Sequence, residues 1–185
     1  MKKSFLFMCI LLLVMTAAGG CGKGEISNDI VSIRVYKGLE VAEPSDSEQV
    51  WEALLNNCTV EEYPEEELND LVKELETQYR YAAYYEGKTA SELIEEIHGM
   101  TTEELAKEQL KKKYAVQLIA EEEKLNLTKE EYEYRLAKRA EENGIADAQA
   151  YESMFGYGKL SEIFLEERVM EFLIDNLEGL RRTPN

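Results

Sequence analysis

The chain has 185 residues, which suits one modest domain plus a targeting segment, and its 38 acidic against 21 basic residues give a net charge of −17. A surface this acidic repels nucleic acid and anionic lipid headgroups, so both are set aside as ligands. Only three prolines among many Glu, Leu, Ala and Lys residues favour helix. Of the three cysteines, Cys9, Cys21 and Cys58, none can build a disulfide framework once Cys21 is modified, because Cys58 is then alone.

Residues 1–20 read as a secretory signal. Lys2 and Lys3 form a positive start, and Phe5 to Met15 is an apolar run too short to span a bilayer comfortably. Small residues, Ala17 to Gly20, lead directly into Cys21-Gly22. This resembles a bacterial lipoprotein signal, whose cleavage leaves a cysteine carrying diacylglycerol and often a third acyl chain; Ala18 stands where leucine is usual. Two or three chains hold a protein stably on a membrane where one does not. Since Lys2 and Lys3 lie in the leader, 19 of the 21 basic residues remain after cleavage against all 38 acidic ones.

Residues 21–44 are expected to form an anchored tether with one short strand. Within it, Val31, Ile33 and Val35 alternate with Ser32 and Arg34 in the run 30–41, the one convincing β-like stretch. One or two strands make no stable sheet alone, so this run should lie against helices.

From Pro44 on the pattern is helical, and 45–181 reads as a helical domain. Ser45 with Glu48, Thr89 with Glu92, Thr101 with Glu104 and Thr128 with Glu131 each fit a capping box, in which hydroxyl and carboxylate satisfy each other's orphan amides. Pro64 suits a first turn, Asp147 can cap, and Gly87, Gly99, Gly144 and Gly156 mark stops. Helices are predicted over 45–57, 64–86, 90–98, 102–126, 129–143, 147–155 and 159–180. In the second, Leu68, Leu71, Val72, Leu75, Tyr79, Ala82 and Ala83 make a core stripe, while Tyr81, Tyr84 and Tyr85 cluster on the other side. Tyrosine combines large contact area with a polar tip, the chemistry of an adaptable binding face. Tyr134 points outward from its helix, and Tyr151, Met154 and Phe155 share a face with Tyr157 just beyond, a group that suits core packing or an adaptable contact surface. In the last helix the apolar residues cover about half the circumference at about 100° per residue, more than one neighbour needs, and Phe164 is stranded near its polar sector. Such a helix touches several others or keeps part of its face for a partner.

Reactive constellations are missing. The only histidine is His98, near a helix end, where it complements the terminus rather than serving as a catalytic base. One histidine and one free thiol build no zinc site, and no glycine-rich phosphate loop occurs, so no metal, no cofactor and no catalytic residue is expected.

Three segments carry a resemblance: LLNNCTVEEYPEEELNDLVKEL (54–75), TTEELAKEQLKKKYAVQLIAEEEKLNLTKEEYEYRLAKRAEENG (101–144) and EERVMEFLIDNL (166–177). In order and spacing they are similar to the C-terminal, substrate-cradling domain of trigger factor, the bacterial folding chaperone. YKGLEV (36–41) resembles the strand by which that protein leaves its ribosome-binding domain. The ribosome-docking domain has no counterpart here, and fewer than ten residues, between Val41 and Val50, stand where an FKBP-like prolyl isomerase domain would be. The resemblance implies an all-α fold with a multi-helix body, two helical arms and one short N-terminal β-like segment. It further implies a non-enzymatic, ATP-independent holdase for unfolded or newly secreted polypeptides, without ribosome or nucleic acid as partner. With Cys21 lipidated, the protein would sit on the outer face of the cytoplasmic membrane. Candidate client contacts are Tyr81, Tyr84, Tyr85, Tyr134, Met154, Phe155, Tyr157 and Phe164. The alternatives are a scaffold binding one envelope protein and, by family association only, a prolyl isomerase.

Overall fold

A computed structural model describes residues 25–178; the lipidation reading at Cys21 lies outside the described residues. The element order is β1 (Ile26–Ser27), β2 (Val31–Ile33), α1 (Ser47–Leu55), β3 (Cys58–Val60), α2 (Glu65–Glu86), α3 (Ala90–His98), α4 (Thr102–Glu122), α5 (Lys129–Glu142), α6 (Ala148–Phe155) and α7 (Tyr157–Asp175). The expected helical fold with a short β segment is therefore what the chain adopts. No described helix is long and apolar enough to cross a membrane.

The strands form an antiparallel sheet in the order β1-β2-β3, with Ile26 opposite Ile33 and Val31 opposite Val60. The run 30–41 is strand only at 31–33. Beyond it the chain is a loop pinned at three points, where Arg34 N–H donates to Asn57 O, Gly38 N–H to Asn176 O, and Glu178 N–H to Leu39 O. Val31, Ile33, Tyr36 and Leu39 are buried in the same apolar cluster as α1, α4 and α7. The β-like stretch thus lies against helices, and its partner β3 completes the sheet.

Helix ends follow local chemistry closely. The boxes at Thr89, Thr101 and Thr128 are all formed. The box expected at Ser45 is not: Asp46, one residue later, offers a carboxylate that accepts from the amides of Glu48 and Gln49 at 2.9 and 3.4 Å. α4 ends four residues before its predicted limit because Lys124 turns left-handed at φ 57°. There the amide of Leu125 reaches back to Ala120 O at 2.8 Å, closing a Schellman turn on a lysine instead of a glycine.

Apolar burial falls into three groups. The body holds the sheet, α1 and the C-terminal halves of α4 and α7. One arm packs Leu75 of α2 and Ile94 of α3 on Leu105 and Ala106 at the start of α4. The other packs Tyr132, Leu136 and Ala140 of α5 and Tyr151 of α6 on Leu160 and Phe164 at the start of α7. Two long helices are therefore shared, each with one end in an arm and the other in the body.

That division explains the wide apolar arc of α7. Its first half buries Leu160 and Phe164, four apart, against the second arm. Its second half buries Val169 and Leu173, again four apart, against the body. The step of five residues from Phe164 to Val169 rotates the stripe by about 140°. Phe164 is only 1% exposed, so its expected place on a client surface is corrected: the sector that looks polar over the whole helix is core at that level.

Candidate inter-arm cleft

Between the arms lies a cleft of about 990 Å³. α4 is its floor, presenting Gln109, Lys112, Lys113 and Val116; Glu67, Leu71, Glu74 and Gln78 of α2 form one wall. Lys159, Glu162, Ile163 and Glu166 of α7 form the other. Apolar side chains therefore alternate with charged and amide groups along every side.

The cleft is braced at its base by two ion pairs. Lys112 Nζ lies 2.5 Å from Glu166, joining floor to second wall. Lys113 Nζ lies 2.7 Å from Glu67, which also accepts from the Tyr114 hydroxyl at 2.7 Å, joining floor to first wall. The hydrogen bond from Lys113 holds the Glu67 carboxyl below its usual range, with Tyr114 adding to it against the opposing effect of burial. Burial and the bond to Glu67 push the Tyr114 hydroxyl well above the ordinary tyrosine range. A like triad stands at the root of the second arm, where Tyr36 Oη donates to Glu123 at 2.5 Å and Lys37 Nζ lies 2.6 Å away. Burial alone would raise Glu123, but Lys37 and Tyr36 together hold it low.

The tyrosines of α2 extend the cleft wall towards the arm tip. At about 100° per residue, Tyr81 and Tyr85 continue the row Glu67, Leu71, Glu74, Gln78, and Tyr84 lies to one side. All three are 69–78% exposed, with Tyr81 and Tyr85 edge to face at 4.8 Å and their hydroxyls 2.8 Å apart. Ala82, expected in the core stripe, is exposed, while Leu75 and Ala83 carry it. In the second arm Met154, Phe155 and Tyr157 are exposed near its tip, Phe155 leaning on Tyr151 and Tyr157 on Tyr132, each at 4.7 Å. Tyr134 is 71% exposed on α5, lining a separate groove against α1 and α7.

None of the eight expected contact residues lines the inter-arm cleft itself. Its apolar surface comes from Pro64, Leu71, Ile163 and Leu165, with the buried Leu110 and Val116 beneath. The sequence placed Leu71 in a core stripe, whereas Ile163 and Leu165 belong to the wide apolar arc of the last helix, whose excess width was the signal for a face left to a partner. His98 does not stand alone at its helix end: its Nε2 is 2.6 Å from the Tyr79 hydroxyl, tying α3 to α2. Cys58 is buried in the body, and burial raises its thiol.

This geometry defines a helical cradle, open between two arms and lined by mixed apolar and charged side chains. A family model for the C-terminus of the bacterial trigger factor protein (TF) matches residues 40–175. The chain belongs to that family, and its helical region is a chaperone-like, substrate-binding domain. No curated protein and no solved structure matches the chain.

Proposed function

We propose that this protein is an ATP-independent holdase, tied by lipid at Cys21 to the outer face of the cytoplasmic membrane, that binds unfolded or newly secreted polypeptides between its arms. The observation that carries the reading is the open cleft, whose partly exposed Leu71, Ile163 and Leu165 alternate with carboxylates and amides. Such a surface offers apolar contact without a sealed pocket, so a client binds weakly and leaves without an energy source. The anchor follows from the leader and the small residues before Cys21. Confinement to a surface raises the effective concentration of weak sites near emerging chains. Holding a client in this way needs no chemical step.

Reconstituted in phosphatidylcholine vesicles, the full chain is expected to slow aggregation of a chemically unfolded client at a one-to-one ratio. Ile163→Glu, on the cleft wall and partly packed on the second arm's core, should abolish most of that effect, with an unchanged urea midpoint as the check on its folding. An undiminished aggregation rate with the unmodified protein overturns the holdase reading. In cells, Cys21→Ala should release the protein from the membrane fraction, and full retention would refute the anchor.

A further inference from the structure

The wall that α7 gives the cleft does not end at Glu166. One turn on along the same stripe comes Met170, which with Trp51 of α1 and Tyr134 of α5 lines a second groove of about 770 Å³. Glu166 lines both grooves. Between them stands a low saddle, the Lys112 side chain, whose Nζ is 2.5 Å from Glu166 and 4.4 Å from the centroid of the Trp51 ring.

We propose that the two grooves are one track, and that a single extended segment of an unfolded polypeptide passes from the inter-arm cleft over the Lys112–Glu166 saddle onto Trp51, Met170 and Tyr134. The proposal rests on the holdase reading and assigns it a second contact segment.

Length, chemistry and mobility all favour this occupant. From Lys159 to Met170 the stripe rises about 17 Å, which an extended chain spans in about five residues. An unfolded segment brings apolar side chains together with backbone amides and carbonyls that need partners. The track offers both kinds of contact. Leu71, Ile163, Met170 and Trp51 are apolar, and the floor adds Gln109 and Gln117, whose amides each donate and accept and have no side-chain partner among the described residues. Met170 adapts its shape to differing side chains. The saddle yields easily, because Lys112 and Glu166 are both partly exposed and a surface ion pair contributes only about 0–1 kcal/mol. A second copy of this chain fits poorly: it brings a net charge of −17 to a groove whose carboxylates, Glu131, Glu142, Glu166, Glu167 and Glu171, outnumber Arg135, Lys138 and Arg139.

Trp51 is the protein's only tryptophan, so it reports occupancy of the second groove directly. The full chain in phosphatidylcholine vesicles is titrated with reduced, carboxamidomethylated pancreatic ribonuclease, an unfolded client without tryptophan, labelled for anisotropy. Expected are saturable binding, a shift of Trp51 emission that saturates with it, and an affinity about ten-fold weaker for Tyr134→Glu, whose site is exposed enough to leave folding intact. Binding with unchanged Trp51 emission and an affinity within two-fold for Tyr134→Glu overturns the track while leaving the inter-arm cleft as the site. Absence of binding overturns the holdase reading and the track with it.

Discussion

At the scale of single residues, two glutamates hold the arms in place. Glu67 bridges α2 to Lys113 and Tyr114 of α4, and Glu123, just past α4, takes Tyr36 and Lys37 of the N-terminal loop. Both carboxyls sit below their ordinary value in the folded chain. The folded state therefore takes up these protons at lower pH than the unfolded chain does. Their stabilisation is complete above the ordinary carboxylate range and drains away as the pH falls through the lowered values. Glu67→Gln, which keeps an acceptor for Tyr114 but cannot titrate, should flatten the loss of stability between about pH 5 and pH 3. Urea midpoints across that range would show it, and an unchanged acid slope would refute the role of this carboxylate.

Elements are delimited by groups that lie a few residues apart, which is why they were legible in advance. Three of four expected capping boxes are formed, and Gly87 and Gly99 take the left-handed conformation at the ends of α2 and α3. Where reading and structure part, a nearby competitor wins: Asp46 over Ser45, and a left-handed Lys124 over four further residues of helix. The box at Thr128 has a special position, since it starts α5 directly after the linker that separates the second arm from α4. Thr128→Ala should cost about 1 kcal/mol, read as a lower urea midpoint with helix content otherwise kept; an unaltered midpoint would mean the linker is held by packing alone. Of the strands, only β2 was visible, in the alternation of Val31 and Ile33 about Ser32. β1 and β3, two and three residues long, show no such pattern, and β3 becomes a strand because β2 lies beside it.

For the whole molecule, the consequence of three separate apolar clusters is uneven stability. Each arm has its own small core; the first is joined to the body through α4 and through Leu68 and Leu71 of α2, which pack on both clusters, and the second through α7. The second arm is further clasped to α7 by ion pairs, Arg135 reaching Glu171 at 2.7 Å and Arg139 pairing with Glu167. Leu136 is buried in the arm's core, and Leu136→Ala should cost about 2–5 kcal/mol there. Because the loss is local, amide exchange in α5 and α6 should accelerate while α4 and β2 keep their protection. Uniform acceleration throughout the chain would mean instead that arms and body open as one unit.

The chain alone determined its helical class, the ends of most helices and the place of the α2 tyrosines off its core stripe, because caps, glycines and apolar spacing act within a few residues. Its family was legible from ordered segments for the same reason. What the tertiary structure decided is which apolar residues stay uncovered. Phe164 and Ile163 are neighbours in sequence, yet the first is sealed by α5 and α6 while the second only leans on that core and turns the rest of its side chain to the cleft. A helical wheel averages one face over the whole length of α7, whereas the two ends of that helix answer to different partners. Which side of a residue meets water is settled by where the arms diverge, and that depends on contacts between segments far apart in the chain.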